Sequence, residues 1–123
     1  KCGTVKGFHL QTGKFKEDKY VVCIKGKIID YYFNIKKKIK INRKKLSDKK
    51  IEILYIPKNF AHGFQTLTDN VILLYFHTNY YSKNHEIGIN PLDKKLKIIW
   101  PIKKKIISKK DQNSKKFDEL FKL

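Results

Sequence analysis

Gly7-Phe8-His9-Leu10-Gln11, answered by Ile56-Pro57-Lys58-Asn59-Phe60-Ala61-His62-Gly63-Phe64, decides how this chain is read. Each stretch sets one histidine among apolar and small residues. Both read as β-structure, in which alternate side chains share a face. Two imidazoles turned toward the interior of an all-β domain point to a pocket that moves protons.

Further strands surround these two stretches. Residues 5–11 alternate as a strand. Residues 20–24 and 28–35 are β-branched and aromatic runs on either side of Lys25-Gly26-Lys27, which predicts a hairpin. Ile39 and Ile41 predict a strand with one wet face, residues 42–50 a turn region, and residues 51–56 a strand stopped by Pro57. Residues 61–67 and 71–78 flank Thr68-Asp69-Asn70 as a second hairpin. Residues 79–90 read as irregular, and Ile98-Ile99-Trp100-Pro101 as the end of the compact part. Phe117, Leu120 and Phe121 share one face of a short closing helix. Many short strands with almost no helix predict one domain over residues 1–123. The expected fold is an all-β antiparallel sandwich or jelly roll, with a C-terminal tail from about residue 103 and a short helical segment in it.

Composition narrows the function. Lys+Arg number 29 against 11 Asp+Glu, a net charge of +18, which permits a polyanionic partner through long-range attraction. Arg43 is the sole arginine, however, and forked recognition of phosphates and base edges favours arginine. The lysines are scattered, so the reading as solvated faces outranks nucleic-acid binding. No apolar run is long enough for a bilayer, and the first residues lack the layout of a signal peptide, so a cytoplasmic protein without a membrane partner is expected. Cys2 and Cys23 form no CxxC pair and read as reduced thiols.

The ordered motifs resemble a known family. They begin with Gly3-Thr4-Val5-Lys6-Gly7-Phe8-His9-Leu10-Gln11 and continue through Lys19-Tyr20-Val21-Val22-Cys23-Ile24-Lys25-Gly26-Lys27-Ile28-Ile29-Asp30. Ile56 to Phe64, Leu74-Tyr75-Phe76-His77-Thr78-Asn79-Tyr80-Tyr81 and Asn84-His85-Glu86-Ile87-Gly88-Ile89 follow, then Ile99-Trp100-Pro101 and Ile107-Ser108-Lys109-Lys110-Asp111. Together they resemble the dTDP-4-dehydrorhamnose 3,5-epimerase family, a metal-independent branch of the cupin jelly rolls. The resemblance implies a dimer that acts on a nucleotide-linked 4-keto-6-deoxyhexose and inverts C3, C5 or both. A C–H beside a ketone is acidic only if its enolate is stabilised, so one group must take the proton and another return it from the opposite face.

The resemblance also implies roles. His9 matches the catalytic base and Asp111 the carboxylate that orients it. Tyr75 matches the general acid, its phenol made a better donor by a nearby cation. Lys19 is assigned to the ketone or enolate oxygen, with Asp30 in the next strand pairing to it. His62, Gln11, Asp30, Tyr81 and Lys6 are assigned to substrate contacts; His77 and His85 read as surface residues. Metal cupins place two histidines at i and i+2 with a following carboxylate. His9 is followed by Leu10 and Gln11, so neither a metal nor another cofactor is expected.

Two departures stand out. Lys6 replaces the arginine usual just before the Gly-x-His motif, which keeps the charge and loses the fork. Asn34 replaces an aspartate after Asp30. Family members also carry roughly fifty residues ahead of this region, a length compatible with one domain. A sheet edge left open without them is expected to be covered by a second subunit. Two other functions compete with the isomerase: a cupin-like nucleotide-sugar binding module without turnover, and a basic β-barrel that binds nucleic acid.

Overall fold

The computed structural model describes residues 1–121; the last two residues of the domain expected over 1–123 lie outside them. Among the described residues nine strands form two sheets: β1 (Thr4–Gln11), β2 (Lys19–Lys25), β3 (Lys27–Asn34), β4 (Asn42–Ser47), β5 (Leu54–Ile56), β6 (Phe60–Thr66), β7 (Ile72–His77), β8 (Glu86–Gly88) and β9 (Ile106–Ile107). The larger sheet runs β4-β3-β6-β1-β8, with β9 added in parallel beside β1; the smaller runs β5-β2-β7. All other pairings are antiparallel. This is a jelly roll, within the strand pattern's expectation of a sandwich or jelly roll and of the cupin-like kind that the resemblance implies, with two one-turn helices, α1 (Lys109–Gln112) and α2 (Phe117–Leu120), near its C-terminus.

Neither expected hairpin forms. β2 and β3 lie in different sheets, as do β6 and β7. Both short connections are corners that carry the chain from one sheet to the other. They meet each other: the Lys27 amide donates to Thr68 Oγ1 at 3.0 Å. Strand runs and turn residues look alike in a hairpin and in such a corner, and only the partner of each strand tells them apart. The strand expected at Ile39 and Ile41 begins instead at Asn42, in the predicted turn region. There the backbone pairs along β3 from Tyr32↔Asn42 to Lys27↔Ser47 and delivers Leu46 to the core, so tertiary pairing overrides a lysine-rich sequence. The strand expected over residues 51–56 is shortened to β5. The irregular stretch 79–90 contains β8, which pairs with β1.

The larger sheet separates two cores. One face carries Val5, Phe8, Ile29, Tyr31, Phe33 and Ala61, which pack against Ile89, Leu96, Trp100 and Phe117 from the C-terminal third. The segment after residue 103, read as a tail, therefore packs on the body through Phe117, which is fully buried. Gln65 stitches this layer to the sheet: its amide nitrogen donates to the Gly3 and Ile102 carbonyls, and its oxygen accepts from the Ile102 amide. The other face carries Ile28, Leu46 and Phe64 against Val21, Cys23, Leu54 and Ile56 of the smaller sheet. Toward one end of this sandwich the apolar filling stops and a cavity opens.

Candidate active site

The cavity measures about 660 Å³ and lies between the two sheets. Strand alternation supplies its walls. From the larger sheet come Lys6, His9 and Gln11 of β1 and His62, Phe64 and Thr66 of β6; from the smaller come Lys19 of β2 and Leu73, Tyr75 and His77 of β7. Along β6 and β7 these positions are spaced by two, as one face of a strand requires.

Along β1 they are not, and the reason is a β-bulge. Lys6 pairs with Phe64 and His9 with His62, so three steps on β1 match two on β6. The extra residue switches the facing of everything after it. Without it, His9 would share the face of Val5 and enter the apolar core. The bulge falls where β1 and β6 approach most closely. A Cβ on Gly7 would lie 2.5 Å from the Gly63 Cα, and one on Gly63 would lie 2.8 Å from the Lys6 carbonyl oxygen. Gly7 also has φ +127°, a conformation open mainly to glycine.

Asp111 organises the bulge. It is almost fully buried on α1; its Oδ2 accepts from the Gly7 amide at 3.2 Å and its Oδ1 bonds His9 Nε2 at 2.8 Å. With Nε2–H donating to the carboxylate, the Nδ1 lone pair of His9 is left for the cavity. The side chain of His9 is 29% exposed and that of Asp111 5%.

Two more histidines are held the same way. His62 Nδ1 bonds Asp30 Oδ2 at 3.1 Å, and His77 Nδ1 bonds Glu17 Oε1 at 3.2 Å. In a chain with 11 acidic residues, the three buried ones each grip an imidazole. A buried carboxylate needs such a partner. Asp30 is wholly buried, and burial pushes its carboxyl above the usual range against the pull of His62 and Lys19; its Oδ1 has no partner.

Asp30 does not pair with Lys19 as expected; its carboxylate bonds His62. The nearest carboxylate to Lys19 is Glu17, with Nζ to Oε2 at 4.0 Å. Burial lowers the Lys19 ammonium from its ordinary value, opposed by the charges of Glu17, Glu86 and Asp30. Tyr75 also departs from expectation. Burial, and then the charge of Asp30, push its phenol up, where a cation had been expected to bring it down. Its ring is flanked by His62 at 5.9 Å and by His77, stacked at 5.8 Å between centroids.

The structure brings His9, Lys19, His62, Tyr75, Lys6, Gln11 and Tyr81 to one cavity, with Asp111 and Asp30 directly behind it. Gln11 is on the wall, but its amide is engaged by backbone: nitrogen to the Phe15 and Tyr80 carbonyls, oxygen from the Ser82 amide. These bonds fix the loops at the cavity edge. Sequence reading missed Glu17 and His77. His77 sits two places after Tyr75 on the same strand face, a signal present in the sequence; Glu17 lies in a loop whose path no periodicity reveals. His85 packs on Phe15 and bonds Ser82 Oγ. No cluster of three or more potential metal ligands occurs among the described residues.

Comparison with known proteins gives the family of the chain. The sequence profile of dTDP-4-dehydrorhamnose 3,5-epimerase matches residues 1–119. The chain belongs to the dTDP-4-dehydrorhamnose 3,5-epimerase family. It is 36% identical to the Shigella flexneri member over 94% of this chain and 66% of that protein, and 36% identical to the Escherichia coli member over 97% and 67%. The crystal structure of the Bacillus anthracis epimerase, with TDP and PPi bound, superimposes with a TM-score of 0.90 at 33% identity, over 94% of this chain and 68% of that one. A Legionella pneumophila epimerase in complex with dTDP-4-keto-L-rhamnose gives 0.90 at 29%, over 98% and 66%. The chain thus spans about two thirds of the length of these epimerases.

Proposed function

We propose that this chain is an isomerase that epimerises C3, C5 or both of a nucleotide-linked 4-keto-6-deoxyhexose. One observation carries the reading: His9, braced by buried Asp111, and Tyr75 stand on opposite sheets around one cavity. His9 Nδ1 takes a proton from a carbon beside the ketone. Lys19, cationic and largely desolvated, holds the enolate oxygen, where a charge in a water-poor site acts strongly. Tyr75, kept in its phenol form, returns a proton from the other side. His62, and at the mouth Lys6 and Tyr81, contact the sugar nucleotide, and the net charge of +18 draws its diphosphate in. The single-domain reading of residues 1–123 and a cytoplasmic setting belong to this proposal. Two free thiols accord with the latter, and no helix among the described residues is long and apolar enough to cross a membrane.

The chain acts as a homodimer. The outward face of the smaller sheet presents Tyr20, Ile24, Tyr55, Ile72, Leu74 and Phe76 to solvent, with Tyr20 stacked on Tyr55. None of these positions carries a charge, in a chain with 29 basic residues. It is a patch on which two strongly cationic copies can meet without opposing lysines.

The test incubates the chain with a thymidine-diphosphate-linked 4-keto-6-deoxyhexose in deuterated water. Deuterium enters beside the ketone with inversion, and His9→Ala abolishes it. Binding without exchange sinks the isomerase and leaves the binding module.

A further inference from the structure

The cavity holds one acid–base group more than a single base and a single acid require. His77 is a cavity-wall residue on β7, cross-strand partner of Lys19 and two places after Tyr75. Its Nδ1 is fixed by buried Glu17 at 3.2 Å, and its ring is stacked on Tyr75 with an interplanar angle of 19°. This repeats on the smaller sheet the arrangement that His9 and Asp111 make on the larger: a buried carboxylate orients one ring nitrogen and leaves the other free. It differs in access. The His77 side chain is 44% exposed, so it exchanges protons with solvent readily, whereas Tyr75 is half-buried and desolvation holds its phenol high.

We propose that the His77–Glu17 pair is a second proton donor, serving the α carbon that Tyr75 does not. The inference rests on the epimerase reading above. Inverting both neighbours of a ketone needs two proton returns on the side facing away from His9. One half-buried phenol at a fixed position suits one carbon. An imidazolium further along the same wall, reloaded from solvent, reaches the other. At that carbon His9 Nδ1 removes the C–H proton, and the electron pair passes into the enolate held by Lys19. The enolate carbon then forms its new bond to the proton on His77 Nε2, leaving neutral imidazole. His9 releases its proton to water and His77 takes one back, so the cycle closes without any other reactant. Glu17, which accepts from Nδ1–H, supports the charged ring between turnovers; Lys19, on the neighbouring strand, is the opposing cation.

The experiment follows inverted, deuterated product at each α carbon separately by NMR. The substrate is a thymidine-diphosphate-linked 4-keto-6-deoxyhexose in deuterated water. Wild type incorporates deuterium with inversion at both carbons. His77→Gln changes the ratio of the two rates by about 100-fold, the scale of a positioned general acid. At the affected carbon, deuterium then enters with retention, because His9 itself returns it. Glu17→Gln moves the ratio in the same direction, and an unfolding midpoint measured on both variants separates this from loss of fold. A ratio unchanged in both folded variants overturns the second donor. Inversion at one carbon only in wild type also overturns it while leaving the epimerase reading in place; exchange at neither carbon removes both.

Discussion

Asp111 bonds His9 Nε2 at 2.8 Å across 102 positions of sequence, and its second oxygen accepts from the Gly7 amide at 3.2 Å. One carboxylate thus holds both the imidazole and the backbone bulge that turns this imidazole into the cavity. Placement and activation of the base depend on the same residue, which lies on a helix of four residues packed against β1.

Asp111→Asn keeps an oxygen for the Gly7 amide but weakens control of the His9 tautomer. Deuterium exchange at the substrate's α carbons falls by on the order of 100- to 10,000-fold. The thermal midpoint moves little, since a neutral acceptor remains. Asp111→Ala additionally strands a buried donor, which costs about 1–3 kcal/mol and appears in the urea midpoint. A variant Asp111→Asn with wild-type exchange rates would show that His9 needs no orienting carboxylate.

Gly63→Ala probes the close approach of β1 and β6. The added methyl meets the Lys6 carbonyl at 2.8 Å and Phe8 Cδ1 at 3.2 Å, and backbone cannot give way cheaply. Overpacking of this kind destabilises by about 1–3 kcal/mol and displaces the bulge, so activity and midpoint fall together. Unaltered calorimetry for this variant would mean the strands separate freely there.

Lys19 ties stability to pH. Its folded-state value lies below the ordinary 10.5, so between the two the unfolded chain binds more protons than the folded one. Stability from this group therefore rises with pH through that interval and levels off above 10.5. Lys19→Met flattens the rise in urea midpoint, and turnover drops by about 100-fold with the loss of the enolate's counter-charge. A midpoint profile identical to wild type across the alkaline range contradicts a desolvated Lys19.

Leu74→Lys places a charge in the middle of the outward face of β7, where Leu74 is 44% exposed. Light scattering reports a dimer for wild type and a monomer for the variant at the same concentration. The far-ultraviolet circular dichroism is preserved, because an exposed strand position tolerates lysine. Wild type that runs as a monomer removes the proposed self-association and leaves the face to another occupant.

Much was legible beforehand. The strand runs were readable from the residues, the family resemblance picked out His62 and Tyr75, and His77 could have been added from its spacing to Tyr75. Legibility ended where partners are distant. Residues 25–27 and 68–70 have the composition of hairpin turns, yet each carries the chain between sheets, because pairing is settled by which strand offers a complementary edge. Glu17 was missed, and the partner of Asp30 misjudged, for a related reason: a carboxylate's partner is whichever cation or imidazole folding brings near it.

Local order of residues thus determined that this chain is a β-roll with histidines on interior strand faces, since period-two alternation is a property of the backbone itself. The three-dimensional arrangement alone decided which way His9 looks and which acid grips each imidazole. A single extra residue at the bulge reverses the facing of β1, and a buried carboxylate bonds across a space the chain order does not encode.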